Sequence, residues 1–177
     1  MVFEHIWAPW RLGYILGEES ADRPDPPREL LPGADPECFL CRCAADPTQR
    51  LRLAVDRGEH TVTVLNRYPY NNGHLLIAPL RHVADLHELG DEVQLEISRT
   101  MTLMVKTLRS LFSPEGFNIG LNLGRVAGAG LPGHLHWHVV PRWNGDTNFM
   151  PTTAGVRVIP QSLEAVWEAL TSELAKP

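Results

Sequence analysis

The chain has few cysteines. Its 177 residues contain three, Cys38, Cys41 and Cys43, all in one short stretch. A secreted disulfide scaffold would spread an even number along the chain, so that class is excluded and a reducing cytoplasm is expected. Long apolar runs are also missing: nothing approaches the roughly 18 residues that a membrane span needs. The first residues lack a basic segment followed by an apolar stretch, so a secretory signal is not expected. There is no basic excess either. Lysine and arginine number 16 against 21 acidic residues, a formal net charge of −5, which argues against a nucleic acid polymer as partner. No internal repeat is visible. The remainder is ordinary globular composition, 44% hydrophobic, in a chain long enough for one domain with a sizeable core.

Against this background one segment stands out: Gly133-His134-Leu135-His136-Trp137-His138-Val139-Val140-Pro141-Arg142. Three of the chain's eight histidines fall here, at every second position. Strand side chains alternate faces, so the spacing predicts that His134, His136 and His138 share one face while Leu135, Trp137 and Val139 enter a core. At about 3.3 Å per residue the outer two histidines lie ~13 Å apart. One ion with bonds of about 2 Å cannot hold both, so the triad divides its labour. Packing alone rarely places three imidazoles in a row, because each needs a polar partner when buried.

The rest of the chain reads as follows. Residues 1 to 16 are aromatic and apolar (Phe3, Ile6, Trp7, Trp10, Tyr14, Ile15), suited either to packing on the domain or to a dimer contact. Residues 17 to 37 carry Pro24, Pro26 and Pro27 and read as a loop or linker. Thr61 to Leu65 is β-branched, and His74 to Ala78 reads as a returning strand across a turn-rich Asn66–Gly73. Asp85 to Leu89 reads as a short helical piece. From Asp91 to Phe112, apolar residues recur at three- and four-residue steps, which predicts an amphipathic helix. Phe117 to Leu123 alternates and reads as a strand. A Gly/Ala-rich loop from Gly124 to Gly133 precedes the triad. Val156 to Ile159 reads as a short strand and Ser162 to Ala175 as a terminal helix with Ser162 as its cap. The order strand, strand, helix, strand, strand predicts an α+β layer: a mostly antiparallel sheet with one long helix on it. The predicted organisation is an N-terminal segment and Pro-rich linker over 1–37, a domain over 38–150, and a C-terminal strand and helix over 151–177.

Cys38-Phe39-Leu40-Cys41 can bring two thiolates onto one ion, as in structural zinc sites. Two further ligands must then come from elsewhere, and histidines are the natural candidates. The competing readings are a pair of buried free thiols or, with less support in the absence of a βαβ context, a redox pair. Cys43 has no assigned role.

The run His134-Leu-His136-Trp-His138-Val-Val, with Asn66-Arg67-Tyr68-Pro69-Tyr70-Asn71-Asn72-Gly73-His74-Leu75-Leu76-Ile77-Ala78-Pro79 upstream, resembles the histidine triad (HIT) family of nucleotide hydrolases and transferases. The resemblance spans about Cys38 to Arg142. The opening Ile6-Trp7-Ala8-Pro9-Trp10-Arg11 is similar to that of bacterial members related to diadenosine tetraphosphate phosphorylases. The resemblance implies a HIT-like α+β fold whose sheets join across a homodimer. It implies cleavage of nucleoside phosphate anhydrides such as dinucleoside polyphosphates, with His136 attacking the α-phosphate to form a nucleotidyl-histidine. It places His138 and His74 toward the phosphates, Asn66 on the ribose hydroxyls and Asn122 on the phosphate side. It supplies His82 and His134 as the partners of Cys38 and Cys41 around a structural zinc ion.

Imidazole is suited to this chemistry. It is neutral and nucleophilic near pH 7, and attack on phosphorus splits one hard displacement into two easier ones. Backbone N–H groups from Val126 to Gly130 can meet anionic oxygens. One departure from the family pattern falls at Gly130, where many members carry glutamine four residues before the first triad histidine. The separation of Asn122 from His134 is also one residue longer than usual. Phosphorylase-like relatives lack this glutamine too, so water and inorganic phosphate both stand as acceptors. Three alternatives remain: a zinc hydrolase using the triad as ligands, which the strand spacing opposes; a nucleotide-binding protein without turnover; and a member that cleaves phosphoramidates or adenylyl sulfate.

Overall fold

The computed structural model describes residues 29–48, 52–146 and 158–176. The aromatic segment at 1–16 and most of the linker lie outside the described residues, as does the first half of the short strand expected at Val156 to Ile159; Val158 and Ile159 are described and form no strand.

The elements in chain order are α1 (Phe39–Ala45), β1 (Ala54–Arg57), β2 (Thr61–Leu65), β3 (Leu75–Pro79), α2 (Asp91–Phe112), β4 (Gly116–Leu121), β5 (Trp137–Arg142) and α3 (Leu163–Leu174). Two short 3-10 turns, Leu86–Glu88 and Arg125–Ala127, lie in the connections. The strands form one antiparallel sheet in the order β1-β2-β3-β5-β4. This is the expected α+β fold, with a fifth strand at one edge and a short helix before it that the pattern had not revealed.

The sheet core follows from composition. β2 and β3 are buried along their whole length, as five-residue runs of β-branched and aliphatic side chains. Helix α2 buries Ile97, Thr100, Met104, Thr107 and Leu108, a stripe at three- and four-residue steps. Asp91 and Glu92 face its positive end, and the chain leaves it through Ser113 at φ 48°, just before Pro114. Helix α3 is capped by the Ser162 hydroxyl, which accepts from the Ala165 N–H at 3.2 Å. It packs on β1 and α2: Trp167 Nε1 donates to the Ala54 carbonyl at 2.7 Å, and Ser110 Oγ donates to Glu173 at 3.0 Å.

The triad departs from its expected geometry at one end. The regular strand begins at Trp137, not at His134. Before it, the Leu135 N–H donates to the Val83 carbonyl at 2.8 Å, so His134 is tied to the segment after β3. The alternation survives: Leu135 and Val139 are buried, and Trp137 packs against the core.

Candidate active site and metal centre

Directly paired residues of antiparallel strands put their side chains on the same face. His138 pairs with Leu76 on one side and Gly120 on the other, and Leu121 pairs with Trp137. His136 and His138 therefore share a face with Gly120, and the chain leaving β4 brings Asn122 to the level of His136. A Cβ built on Gly120 meets nothing within 4 Å, so the floor beside His138 is open.

His136 Nδ1 lies 2.8 Å from the His134 carbonyl oxygen. A carbonyl only accepts, so Nδ1 carries the proton and Nε2 keeps its lone pair. The His136 and His138 rings stand edge to face, 5.1 Å between centroids.

The next pair is fixed by the same reasoning. The Tyr70 backbone N–H donates to His74 Nδ1 at 3.0 Å, so His74 bears its proton on Nε2. His74 Nε2 is 2.9 Å from His138 Nδ1, which must accept, leaving His138 with its proton on Nε2. Burial, with His136 alongside, holds the His138 pKa below the ordinary 6.5. His74 is fully buried and supports His138 from beneath. The Asn66 amide is bonded at both ends: its Oδ1 accepts from the exposed Tyr68 N–H at 3.0 Å and its Nδ2 lies 3.2 Å from His74 Nδ1. Asn122 Nδ2 is 3.5 Å from the Gly128 carbonyl, across the Gly/Ala loop. Gly130 is exposed on that loop, with open space around it.

The second cluster is Cys38, Cys41, His82 and His134, one ligand atom from each lying within 4.8 Å of all the others. Cys38 precedes α1 and Cys41 sits in its first turn, three residues on, where helical spacing places both on one side. Cys38 Sγ is 3.3 Å from His134 Nδ1, Cys41 Sγ is 3.3 Å from His82 Nδ1, and Cys41 Sγ is 3.5 Å from His134 Nδ1. Tetrahedral zinc with bonds of about 2.3 Å to sulfur and 2.0–2.1 Å to nitrogen sets sulfur and nitrogen about 3.5 Å apart. The donor set fits. His134 Nε2 donates to the Pro79 carbonyl at 2.8 Å, which turns the Nδ1 lone pair toward the thiols. Burial keeps His134 neutral, its pKa lowered to about 4.

The structure thus brings Asn66, His74, His136 and His138 together, and Cys38, Cys41, His82 and His134 beside them, the two groups joined at His134, while Asn122 and Gly130 lie along the Gly/Ala loop with no hydrogen bond to either. Cys43 stays outside both: its thiol donates to the Arg52 carbonyl at 3.3 Å, and burial pushes its pKa up to about 12. Sequence reasoning missed the Pro79 carbonyl and Tyr70, which fix the histidine tautomers by backbone groups that no side-chain pattern reports. It also missed Asn71, whose Nδ2 donates to the Pro141 carbonyl at 3.1 Å and to Asp146 at 2.8 Å.

Fold and site together define a class, that of small α+β enzymes with a row of histidines along a sheet strand. The HIT domain profile matches residues 52–145. An AP-4-A phosphorylase of Mycobacterium tuberculosis is 38% identical over 173 residues, covering 98% of this chain and 85% of that protein. An adenosine 5′-monophosphoramidase of Schizosaccharomyces pombe is 26% identical, over 77% of this chain and 98% of that one. Among solved structures, a Zn-bound histidine triad family protein from Mycobacterium smegmatis superposes with a TM-score of 0.57 at 27% identity, covering 70% of this chain and 84% of its own. The chain belongs to the HIT domain family.

Proposed function

We propose that this enzyme transfers a nucleotidyl group from dinucleoside polyphosphates, diadenosine tetraphosphate among them, through a covalent intermediate on His136. The observation that carries the reading is the 2.8 Å contact of His136 Nδ1 with the His134 carbonyl, which leaves Nε2 as a lone pair. Nε2 attacks the α-phosphorus. A P–N bond forms, the anhydride P–O bond breaks, and the departing nucleoside polyphosphate takes the electron pair. An oxygen of the acceptor then attacks the same phosphorus and releases the imidazole. His138 Nε2–H and the backbone N–H groups of the loop through Gly130 donate to the phosphate oxygens, and Asn122 borders them. Gly120 leaves room for the phosphate beside His138. Asn66 meets the ribose, a role that requires its amide to exchange an internal bond for a hydroxyl.

Inorganic phosphate is the acceptor we favour. The M. tuberculosis relative is an AP-4-A phosphorylase, and glycine at 130 supplies no amide side chain to steer water. Incubation with diadenosine tetraphosphate, with and without phosphate, tests this. ADP and ATP formed only with phosphate is the expected result; AMP and ATP without it would mean hydrolysis. The S. pombe relative favours one second reading, phosphoramidate cleavage at the same His136, to be tried in parallel.

Cys38, Cys41, His82 and His134 would hold a zinc ion. Four protein ligands leave no open position, so the ion's contribution there is structural. A homodimer built on β4 completes the reading: β4 ends the sheet and leaves Ile119 48% exposed on it. Three unpaired thiols suit a reducing compartment such as the cytoplasm, and no helix among the described residues is long and apolar enough to cross a membrane.

A further inference from the structure

We propose that Tyr70 is a positioning residue of the reaction centre, its backbone N–H and its ring together holding His74 and His138 in the one proton arrangement that aims a His138 Nε2–H at substrate. The use made of that proton rests on the nucleotidyl-transfer reading; the arrangement itself does not.

The backbone half of the device has no second state. An amide N–H can only donate, so the 3.0 Å contact of Tyr70 N with His74 Nδ1 settles the tautomer of His74 and, for as long as the 2.9 Å bond between the imidazoles holds, that of His138. His74 is completely buried, so this order is set from within the protein.

The ring is the other half. It lies against His138 with centroids 5.7 Å apart and planes at 19°, and against His74 at 4.7 Å and 32°. The two imidazoles are themselves 5.1 Å apart. The three centroids form a triangle: the imidazoles meet through their hydrogen bond, and the Tyr70 ring, 50% exposed, stacks on His138 and tilts against His74. A stacked ring restricts rotation of His138 about its side-chain bonds and keeps water away from the bond between the imidazoles. The platform beneath it is fixed: Asn71, the next residue, donates to the Pro141 carbonyl and to Asp146. The pattern that named the histidines contains no reason for an aromatic residue at 70.

The test compares wild type with Tyr70→Phe, Tyr70→Leu and Tyr70→Ala. Two-bond proton–nitrogen spectra of the substrate-free proteins read the imidazole tautomers directly. Unchanged His60 and His87 signals, outside the site, report an intact fold. Wild type and Tyr70→Phe are expected to show His74 and His138 protonated on Nε2 only. Tyr70→Leu and Tyr70→Ala keep the backbone N–H and so the His74 tautomer, but water then competes for His138 Nδ1. They are expected to show mixed His138 tautomers, with kcat for diadenosine tetraphosphate lower by about tenfold and KM within about twofold. A single Nε2–H tautomer persisting in both truncated variants, with kcat unchanged, overturns the proposal. Mixed tautomers in those variants beside a wild type that cleaves no nucleotide would uphold the positioning role and sink the nucleotide reading.

Discussion

The His134 carbonyl accepts the Nδ1 proton of His136 at 2.8 Å, while the His134 ring, 3.3 Å from the Cys38 thiol, faces the other way. One residue thus borders two groups, its backbone turned to the His136 ring and its side chain to the thiols. On the proposed reading this divides the labour of the triad, and a metal held at His134 would be coupled to the orientation of His136.

The nucleophile assignment makes the sharpest demand. His136→Ala should lower kcat for diadenosine tetraphosphate by at least about a thousandfold, because the two-step path is lost entirely. His136→Gly should regain part of the rate when imidazole is added. Mass spectrometry of quenched wild-type protein should show a nucleotidyl adduct that is absent from the variants. Equal turnover by His136→Ala would sink the assignment.

Metal binding should depend on pH in one direction. Both thiols must shed their protons to become ligands, so zinc affinity should rise from pH 6 to pH 8 and binding should release protons. Cys41→Ser should lower zinc content and the melting temperature together. Its kcat should fall as well, since His134 then loses the ligand that orients its backbone. A zinc-free Cys41→Ser protein with wild-type melting and turnover would contradict the coupling.

His138 gives a stability prediction whose sign can be worked out. Its pKa in the fold is lowered from 6.5, by burial first and then by His136. Below pH 6.5 the unfolded chain's imidazole takes up a proton that the fold still refuses. Unfolding therefore binds a proton in that window, and stability falls as pH drops from 6.5 toward the lowered value. Urea melts at pH 7.5 and 5.5 should show this loss, and His138→Asn should reduce the difference between them. A pH dependence identical in the variant would rule out His138 as its source.

Much of the fold is legible in the sequence. The three-and-four spacing within Asp91 to Phe112 could only be a helix laid on something apolar, and α2 has those bounds. Thr61 to Leu65 announced itself by β-branching and is β2. Of the cluster Cys38, Cys41, His82 and His134, spacing showed only the cysteine pair, and the two histidines came from the resemblance to HIT sequences. β1 was not, because Ala54–Arg57 is four residues long with no clean alternation and becomes a strand only by pairing with β2. Helix α1 was hidden for a similar reason: seven residues are too few for periodicity to register, and it is held by burial of Leu40, Cys41, Cys43 and Ala44. At the site, the histidines were visible, and imidazole chemistry called for a backbone carbonyl behind His136, which His134 supplies; which groups set the protons was not visible. Those groups are the backbone of Pro79, Tyr70 and His134, and every residue type has a backbone.

The turn that presents His74 should be intolerant of a side chain. Gly73 sits at φ 70°, where other residues are strained, and a Cβ there would lie 3.0 Å from a Leu108 methyl on α2. Both effects act against Gly73→Ala. The left-handed backbone costs about 1 kcal/mol. The contact falls on a fully buried leucine of the helix, which has little room to move. Together they should cost about 2 kcal/mol, read as a lower urea midpoint at unchanged slope. Leu108→Ala in the same background separates the two, since it clears the contact but leaves the backbone strained. Some of the Gly73→Ala loss should then be missing from the double variant, giving a favourable coupling between the substitutions. Strict additivity would mean that Leu108 does not feel residue 73, and that the demand for glycine comes from the backbone alone.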